Sequence, residues 1–460
     1  MERLVVIGGD AAGGATAAQA RRRRGADDLE IVVVERGPYT SYSACGVPYW
    51  VGGLVAGPDA LIARSPEEHR RRGLDVRLDT EAEGIDLDKR EVEVRDTATG
   101  AAHRIGFDHL VLATGATPVR PPIPGIDAPG VYGVQTLDDG RALIDGFAPA
   151  RTRAVVIGGG YIGIEMAEAM KQRGLAVTVL DRGAQPMSTL DPDMGVLVHT
   201  QMEALGIDVV TGADIQGIET APDGRVRAVV TSDAEYPADV VVLGTGVRPA
   251  TELARAAGLP LGDSGGIRTD LRMRVWGDDA RHAGVWAAGD CVEVLNLVSG
   301  RFQHIPLGTH ANKQGRVAGM NIGGDYATFP GVVGTAVSKV CDLEIGRTGL
   351  REKDAEAAGF AYETAVIEST GRAGYYPGAD TMTVKMIAER VSGRLLGVQI
   401  VGRDGAAKRI DTAAVALTAR MTAEDVTALD LGYAPPFSPV WDPILVAARK
   451  VAGKVAGPAL

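Results

Sequence analysis

Two short apolar runs near the start of the chain flank a glycine-rich turn and an alanine-rich stretch. The first run, Leu4 to Ile7, leads into Gly8-Gly9-Asp10-Ala11-Ala12-Gly13-Gly14. The alanine-rich stretch continues to about Gly25, and the second run, Leu29 to Val34, ends in Glu35. Short continuous apolar runs are typical of buried parallel strands, and the stretch between them is long enough for a helix. The pattern therefore predicts a strand, a turn, a helix and a second strand that ends in an acid.

The same order recurs near the middle of the chain. Ala154 to Ile157 is an apolar run that leads into Gly158-Gly159-Gly160-Tyr161-Ile162-Gly163. A helix is predicted from Ile164 to Arg173, and a strand from Ala176 to Leu180 ends in Asp181. A supersecondary pattern that appears twice indicates an internal repeat of one structural unit.

Further apolar runs extend both copies. His109 to Leu112 ends in Ala113-Thr114-Gly115, and Val240 to Leu243 ends in the similar Gly244-Thr245-Gly246. Between the first strands and His109, the alternation from Leu74 to Val94 predicts a hairpin. Each copy therefore has a third predicted strand that ends in a small-residue turn.

A last pair of elements precedes a change of pattern. One strand is predicted to end in Gly289-Asp290, and a helix opens at Pro306-Leu307-Gly308-Thr309 and continues to about Asn321. From about Tyr326 onward, no further glycine-rich turn of the kind seen after Ile7 and Ile157 follows. Strands are then predicted at 332–339, 344–348, 362–368, 382–387 and 395–401, with helices at 352–358 and 408–418.

These elements predict an α/β fold with two Rossmann-like dinucleotide-binding domains and a carboxyl-terminal α+β dimerisation domain. The predicted boundaries are 1–118 with 248–326 for the first domain, 119–247 for the second and 327–460 for the third. The tail from Ala447 to Leu460 is expected to be a frayed end.

Composition and charge exclude several classes of protein. The chain has 460 residues and a formal net charge of −11, which favours about three domains and argues against a nucleic-acid-binding surface. Three cysteines do not make a disulfide framework, so a reducing, cytoplasmic compartment is expected. No signal peptide, membrane-spanning run or metal site is predicted. The basic run Arg21 to Arg24 is either a solvated helix face or a clamp for a phosphorylated substrate.

The first glycine turn has the chemistry of a dinucleotide site. Gly8 permits a tight turn, and Gly13 lets the helix approach the strand so that its amino terminus faces a pyrophosphate. Glu35 can accept hydrogen bonds from a ribose. Asp10 occupies the place of the middle glycine, but the strand, helix and acid are all present.

The second turn matches the G-x-G-x-x-G pattern fully at Gly158, Gly160 and Gly163. Asp181 ends the next strand, and its carboxylate favours the free ribose of NADH because it would repel a 2′-phosphate. Arg182 leaves NADPH open as the alternative. Two bound dinucleotides are therefore predicted.

One cysteine lies in the stretch Ser41-Tyr42-Ser43-Ala44-Cys45-Gly46-Val47-Pro48-Tyr49. Pro48 fits the first turn of a helix, so Cys45 is expected at a helix start, where partial positive charge lowers the pKa of a thiol. Trp50 occupies the position where a second cysteine would complete a disulfide. Cys45 therefore reacts with a small thiol from outside, undergoes oxygen chemistry on its sulfur, or is an inert buried thiol.

On these residues the chain resembles the flavin-dependent pyridine nucleotide-disulfide oxidoreductases over essentially its full length. The lone cysteine and its neighbours are similar to the subgroup of CoA-disulfide reductases, persulfide reductases and NADH oxidases. The resemblance implies FAD in the first unit, NADH or NADPH in the second, and a homodimer.

The resemblance also implies the residues that contact the cofactors. Those implied for FAD are Gly8, Gly9, Ala12, Gly13, Glu35, Arg36, Ser43, Thr114, Gly115, Gly289, Asp290, Leu307, Gly308 and Thr309. Those implied for the nicotinamide dinucleotide are Gly158, Gly160, Tyr161, Ile162, Gly163, Glu165, Asp181 and Gly246. Tyr161 is expected to swing aside to admit the nicotinamide.

Catalytic and substrate-binding residues are implied in the same way. Cys45 is the redox residue, and Tyr433 with Tyr375, or neighbouring Tyr376, would reach the cysteine of the partner subunit. Thr16, Arg23, Ser41 and Arg71 resemble positions that contact CoA. Ala11 stands where NADH oxidases typically carry a histidine, and Ala44 stands where CoA-disulfide reductases commonly carry an asparagine.

Three functions remain open from the sequence. The first is an FAD-dependent reductase of a low-molecular-weight disulfide or persulfide, with CoA as a candidate thiol. The second is an NADH oxidase, in which Cys45 cycles through a sulfenic acid. The third is a flavoprotein redox sensor or electron-transfer partner. Ala11 counts against the second, and the complete second glycine turn counts against the third.

Overall fold

A computed structural model describes residues 1–147 and 151–455. Across these residues no helix is long and apolar enough to cross a bilayer. The first 118 residues begin with the predicted strand, helix and strand. Their elements are β1 (Glu2–Ile7), α1 (Ala11–Arg21), β2 (Leu29–Val34), α2 (Val47–Gly52), α3 (Pro66–Arg71), β3 (Asp75–Arg77), β4 (Thr80–Asp86), β5 (Glu91–Asp96), β6 (Ala102–Gly106), β7 (His109–Leu112) and β8 (Ala116–Pro118).

The middle of the chain repeats this arrangement and then returns to the first sheet. Its elements are β9 (Val131–Tyr132), α4 (Leu137–Asp145), β10 (Arg153–Ile157), α5 (Tyr161–Gln172), β11 (Ala176–Asp181), α6 (Pro192–Ala204), β12 (Ile207–Thr211), β13 (Ile215–Thr220), β14 (Val226–Thr231), β15 (Glu235–Pro237), β16 (Val240–Leu243), β17 (Val247–Pro249), α7 (Glu252–Ala256), β18 (Val285–Ala287), β19 (Val294–Leu295), β20 (Phe302–Gln303) and α8 (Gly308–Ile322).

Each copy of the repeat forms a five-stranded parallel sheet. The strand order is β18-β7-β1-β2-β3 in the first copy and β12-β11-β10-β16-β9 in the second. Each copy also carries a three-stranded antiparallel sheet, β4-β5-β6 or β13-β14-β15, and the first of these contains the predicted hairpin. The α/β class with two Rossmann-like units is therefore confirmed.

Close packing of helix against strand explains the shared glycines. A Cβ atom added at Gly13 would lie 1.8 Å from the carbonyl oxygen of Gly8, and one at Gly163 would lie 1.8 Å from that of Gly158. Gly8 and Gly158 themselves have φ angles of +104° and +101°, a region that glycine adopts without strain. These glycines let the helices begin directly at the strand ends.

The two copies are connected by a two-stranded antiparallel ribbon of β8 and β17. Next to it, the Thr114 hydroxyl donates to the Ala250 carbonyl at 2.6 Å, and the Thr245 hydroxyl donates to the Val119 carbonyl at 2.5 Å. The two similar strand-end turns are thus tied to the two chain crossings in the same way.

The carboxyl-terminal part is an antiparallel sheet covered by helices. The strand order is β21-β22-β25-β24-β23. Its elements are β21 (Ala336–Val340), β22 (Leu343–Gly349), α9 (Glu352–Ala357), β23 (Tyr362–Thr370), β24 (Thr381–Glu389), β25 (Leu395–Gly402), α10 (Ala406–Thr418), α11 (Ala423–Thr427) and α12 (Pro443–Val455). The predicted strands and helices are all present, and α11 and α12 are additional.

The prediction of a frayed tail is wrong as far as Val455. Helix α12 buries Ile444, Ala447, Ala448 and Val451 in the hydrophobic core of the third domain. Their spacing of three or four residues is that of one helix face. Residues 456–460 lie outside the described part of the chain.

A buried ion cluster joins the second copy to the antiparallel sheet. The Lys385 ammonium group, on a side chain only 3% exposed, lies 3.2 Å from Asp191, 2.7 Å from Asp193 and 2.5 Å from Glu352. The Gln399 amide donates to Asp191 at 2.6 Å. A buried charge of this kind is tolerated because every partner is paired.

We expect the Lys385→Met substitution to lower the free energy of unfolding by about 3–5 kcal/mol, because it leaves Asp191 buried without its counter-charge. Chemical denaturation measures this loss. The matched control is Lys408→Ala, since Lys408 is 83% exposed and pairs only with Asp411. Its expected effect is within about 0.5 kcal/mol. An equally small effect at Lys385 would show that the cluster does not stabilise the fold.

Candidate active site

Parallel strands bring the predicted residues of the first copy to one edge of the sheet. The residues that follow these strands directly are Gly8 and Gly9 after β1, Glu35 after β2, Thr114 and Gly115 after β7, and Gly289 and Asp290 after β18. The carboxyl ends of parallel strands face the same side, where open α/β sheets bind their ligands. The structure therefore brings these residues together.

An acidic residue fixes the glycine turn in each copy. Glu35 accepts the N–H of Gly9 at 2.8 Å, and its other oxygen accepts the N–H two residues further along the chain at 2.9 Å. Asp181 accepts the N–H of Gly159 at 2.5 Å and again an N–H two residues further along at 2.6 Å. Each carboxylate oxygen retains lone pairs for the hydroxyl groups of a ribose.

Helix α8 starts beside this edge because it packs closely on α1. A Cβ atom at Gly315 would lie 2.2 Å from the carbonyl oxygen of Ala12. At the amino terminus of α8, Gly308 and Thr309 are exposed and Leu307 is half-buried. Backbone N–H groups at a helix start can bind a negative charge.

The turn backbones border open space. A Cβ atom added at Gly115, Gly160, Gly246 or Gly308 would meet no atom within 4 Å. The tightly packed glycines therefore shape the turns, and the open ones leave a cradle beside them. Exposed backbone donors and fixed acids in this arrangement fit the phosphates and riboses of two dinucleotides.

Cys45 lies in a 3-10 turn, Ala44–Gly46, directly before α2. Its side chain is exposed, whereas Cys291 is buried and Cys341 is half-buried. Helix α2 packs against α5 of the second copy, since Val47 and Val51 share a hydrophobic cluster with α5. The thiol therefore lies where the two nucleotide-binding units face each other.

The chain alone disfavours the thiolate of Cys45. Desolvation raises the pKa of this thiol, and the carboxylates of Glu165, Asp290 and Asp10 raise it further. The expected lowering of the pKa by a helix start is wrong for the ligand-free chain. Helix α2 has only six residues, and desolvation, followed by the three nearby acids, outweighs its partial charge.

Glu165 and Tyr161 lie on the first turns of α5. Glu165 is half-buried, and it accepts the Ser338 hydroxyl at 3.0 Å. The Tyr161 hydroxyl is buried without a hydrogen-bond partner among the described residues, and burial raises its pKa. The ring packs against the hydrophobic cluster shared by α2 and α5, and Thr189 opposes the rise in pKa.

Two residues of the site were missed by the sequence analysis. Burial raises the pKa of Asp10 to about 7, and Glu35 and Asp290 contribute to the rise. Burial also raises the pKa of Tyr49, followed by the charges of Glu165 and Glu168 and by Cys45. For Tyr49 the spacing was a usable signal, because it stands one helical turn after Cys45.

The structure distinguishes the two candidate tyrosines of the third domain. Tyr375 is 78% exposed and Tyr433 is 50% exposed. Desolvation raises the pKa of Tyr375, and the adjacent Tyr433 hydroxyl adds to this rise. Tyr376 is half-buried, and its N–H donates to the Ala373 carbonyl. Tyr375 is therefore the more exposed of the two candidates and lies near Tyr433, and its catalytic role stays a prediction.

Thr16 does not occupy a surface position. It is fully buried on α1, and its hydroxyl donates to the Ala12 carbonyl at 2.8 Å. Thr16 has no exposed surface in this structure, and its predicted contact with a substrate stays a prediction.

The other predicted substrate residues are accessible to different degrees. The Arg23 guanidinium binds Asp325 at 2.5 Å and Gln19 at 2.8 Å. The Ser41 hydroxyl lies 2.9 Å from the His69 ring, on the helix α3 that also carries the exposed Arg71. Arg71 stands two positions after the buried His69, so it faces another side of α3, and the roles of Ser41 and Arg71 stay predictions.

The remaining predicted cofactor residues lie at the same turns. Arg36 and Ser43 are exposed, and Ile162 is half-buried at the start of α5. The positions of these three side chains do not by themselves indicate a role in cofactor binding.

Comparison with known proteins identifies the class of enzyme. The family profile described as pyridine nucleotide-disulphide oxidoreductase matches residues 2–315, and the profile of its dimerisation domain matches residues 335–443. The chain belongs to this family, and it is an FAD-dependent oxidoreductase of NAD(P)H. The open cradles and fixed acids described above fit both dinucleotides.

The similar proteins are named for two different activities. An NAD(P)H coenzyme A polysulfide/persulfide reductase from Pyrococcus horikoshii is 39% identical over 454 residues, which cover 97% of this chain and 98% of that protein. An NADH oxidase from Methanocaldococcus jannaschii is 37% identical over 431 residues, 93% of this chain and 94% of that protein. The solved structure of an NAD-dependent persulfide reductase from A. fulgidus has 41% identity and a TM-score of 0.95, and the match covers 99% of this chain and 84% of that one.

We expect Glu165→Gln to speed the alkylation of Cys45 at pH 7.5 by about threefold in FAD-free protein. The substitution removes a negative charge that raises the pKa of the thiol, so more thiolate is present at a given pH. Site-resolved mass spectrometry after iodoacetamide measures the rate, with Cys341 as the internal reference. Glu203→Gln, on the exposed face of α6, serves as the control. An unchanged rate would mean that Glu165 does not face Cys45.

Proposed function

We propose that this chain reduces a low-molecular-weight disulfide or persulfide with electrons from NADH, through FAD and the single thiol of Cys45. The observation that carries the proposal is the position of Cys45. It is an exposed thiol directly before α2, the helix that packs on the second nucleotide-binding unit, and the charges of Glu165 and Asp290 both act on it. A thiol in that place can exchange with a small disulfide that enters from solvent.

Each unit would hold one cofactor. Gly8, Gly13 and Glu35, with Asp290 and the start of α8, would hold FAD. Gly158 to Gly163 and Asp181 would hold NADH. Bound FAD would accept a hydride from the nicotinamide and pass two electrons to a disulfide.

The Cys45 thiolate would attack one sulfur of the substrate disulfide. A bond forms between Cys45 and that sulfur, the substrate S–S bond breaks, and the other half leaves as a thiolate. Two electrons originating from NADH then cleave the mixed disulfide, which restores the Cys45 thiolate and releases the second thiol. Each departing thiolate needs one proton.

Tyr375 and Tyr433 of a second copy of the chain would supply that proton. Support comes from their exposure and their pairing on the outer surface of the third domain. Phe437, Val440 and Trp441 are exposed on the same domain, as expected of an interface in a homodimer. The matched dimerisation profile covers this region in part.

Coenzyme A is a candidate for the thiol. It is the thiol in the name of the Pyrococcus horikoshii relative. The exposed Arg71, on the helix whose His69 contacts Ser41, would provide a positive charge for the phosphates of such a ligand. Ala44 differs from the asparagine expected of CoA-disulfide reductases, so another small thiol of similar charge stays an alternative.

NADH oxidase activity is the second candidate function. It is favoured by the relative from Methanocaldococcus jannaschii, which carries that name. The residue expected of oxidases in the first glycine turn is a histidine, and this chain has Ala11 there. Disulfide or persulfide reduction is therefore the better-supported function.

The Cys45→Ser variant is expected to keep its flavin spectrum and its reduction by NADH, but to lose at least about a hundredfold in disulfide reduction. Cys341→Ser is the matched control and should retain activity. Oxygen uptake that exceeds disulfide reduction in the wild-type enzyme would instead support the oxidase. Mass spectrometry under non-reducing conditions would reveal the thiol bound to Cys45.

Asp181→Asn should reduce the preference for NADH over NADPH by about tenfold. The asparagine keeps one of the two acceptor oxygens of Asp181, so one hydrogen bond of the turn is lost with either cofactor, and it removes the charge that repels a 2′-phosphate. The ratio of kcat/KM for the two cofactors measures the effect. Arg182→Ala should change the ratio in the opposite direction. An unchanged ratio in Asp181→Asn would show that the preference does not depend on this charge.

A further inference from the structure

A β-hairpin of the third domain packs against α5, the helix that carries Glu165. Strands β21 and β22 form this hairpin, and their residues Val340 and Leu343 are buried in the same hydrophobic cluster as Ile164 and Ala167 of α5. The third domain of the subunit therefore lies directly behind the nicotinamide side of its own site.

Two carboxylates of α5, one helical turn apart, are bound by this hairpin. The Ser338 hydroxyl donates to Glu165 at 3.0 Å, and the Cys341 N–H donates to Glu168 at 2.8 Å. The contact to Glu168 is made by backbone and is buried within the domain contact. The contact to Glu165 is made by a side chain and borders the cleft.

The environment of Glu165 works against its negative charge. Burial raises the pKa of this carboxyl, the Ser338 hydroxyl opposes the rise, and Glu168 adds to it. The other titratable groups that face Glu165 are Tyr161 on its own helix, Tyr49 on α2 and Cys45 in the turn before α2. The one neighbour that acts in favour of the carboxylate form is Ser338.

A carboxylate beside the nicotinamide ring would assist hydride transfer. When the nicotinamide loses a hydride, two electrons and the hydrogen leave together and the ring becomes a pyridinium cation. A fixed negative charge close to the ring stabilises that developing positive charge. A protonated or misplaced Glu165 would not.

We propose that Ser338 is a positioning residue, which holds the Glu165 carboxylate where the nicotinamide ring gains its positive charge. This inference rests on the proposed function, because it requires NADH to bind against α5. It assigns part of the hydride-transfer site to the third domain of the same subunit.

Equilibrium binding tests the proposal without turnover. The holoenzyme is titrated calorimetrically from pH 6 to 9 with NAD⁺, whose ring is cationic, and with 1,4,5,6-tetrahydro-NAD, whose ring is uncharged. Glu165→Gln should weaken NAD⁺ by about tenfold at pH 8 and leave the uncharged analogue unchanged. Ser338→Ala should weaken NAD⁺ about three- to tenfold near neutral pH and recover wild-type affinity at pH 9.

The pH direction follows from the hydrogen bond. A hydrogen-bond donor stabilises the charged form of a carboxyl, so removal of the Ser338 hydroxyl raises the pKa of Glu165. The affinity for NAD⁺ then increases at a higher pH in Ser338→Ala than in the wild type. Ser338→Thr retains the hydroxyl and should match the wild type, and Ser338→Cys should be intermediate. The matched control is Ser264→Ala, which removes a similar 3.0 Å serine–glutamate bond, to Glu293, on another part of the chain.

The outcomes separate the inference from the proposed function. If Ser338→Ala follows the wild-type pH profile while Glu165→Gln still weakens NAD⁺, the role of Ser338 is refuted and the proposed function stands. If Glu165→Gln binds both ligands like the wild type, Glu165 is not at the nicotinamide and the inference also fails. If the purified protein has no flavin spectrum, or neither ligand binds, the proposed function itself fails.

Discussion

The packing of α2 against α5 is the contact on which the site depends. Helix α2 directly follows the turn that holds Cys45 and belongs to the first half of the chain, but its apolar side is buried in the core of the second nucleotide-binding unit. Trp50 lies in this contact, so close to α4 that a Cβ at Gly140 would meet its ring at 2.7 Å. The Arg173 guanidinium adds a 2.6 Å hydrogen bond to the Val51 carbonyl. A tryptophan anchor thus occupies the position that a second cysteine would need, and the site keeps one thiol.

The electrostatics of the cleft are acidic on every side. Glu165 comes from the second unit, and Asp10 and Asp290 come from the first, and all three raise the pKa of Cys45. Acids around a thiol oppose its ionisation. Desolvation and these three charges therefore favour the thiol of Cys45 over its thiolate.

Local patterns in the sequence were sufficient for the fold. Buried parallel strands, a glycine turn and a terminal acid recur at Leu4–Glu35 and Ala154–Asp181, and both copies form as predicted. Helix α12 was missed because the tail was judged by its position in the chain, although its apolar spacing was that of a helix. The surroundings of Cys45 could not be predicted. They are made by Asp10, Glu165 and Asp290, which are 35 or more positions away, and a helix-start argument contains only local charge.

The same limit applies to the hydroxyls of Thr16 and Ser338. Resemblance in sequence predicts Thr16 at a binding surface, but the close packing of α1 on α8 buries this residue. Ser338 carries no motif at all, and only the docking of the third domain reveals its bond to Glu165. Contacts between distant elements decide which polar groups are available for chemistry.

Glu35 and Asp181 are each held by two backbone N–H groups of their own turns. A free glutamate or aspartate side chain samples several rotamers and loses that freedom when it engages a ligand. Here the rotamer entropy is lost when the chain folds, so a ribose that arrives later meets acceptors already in place. Binding of either dinucleotide is thereby relieved of one ordering penalty.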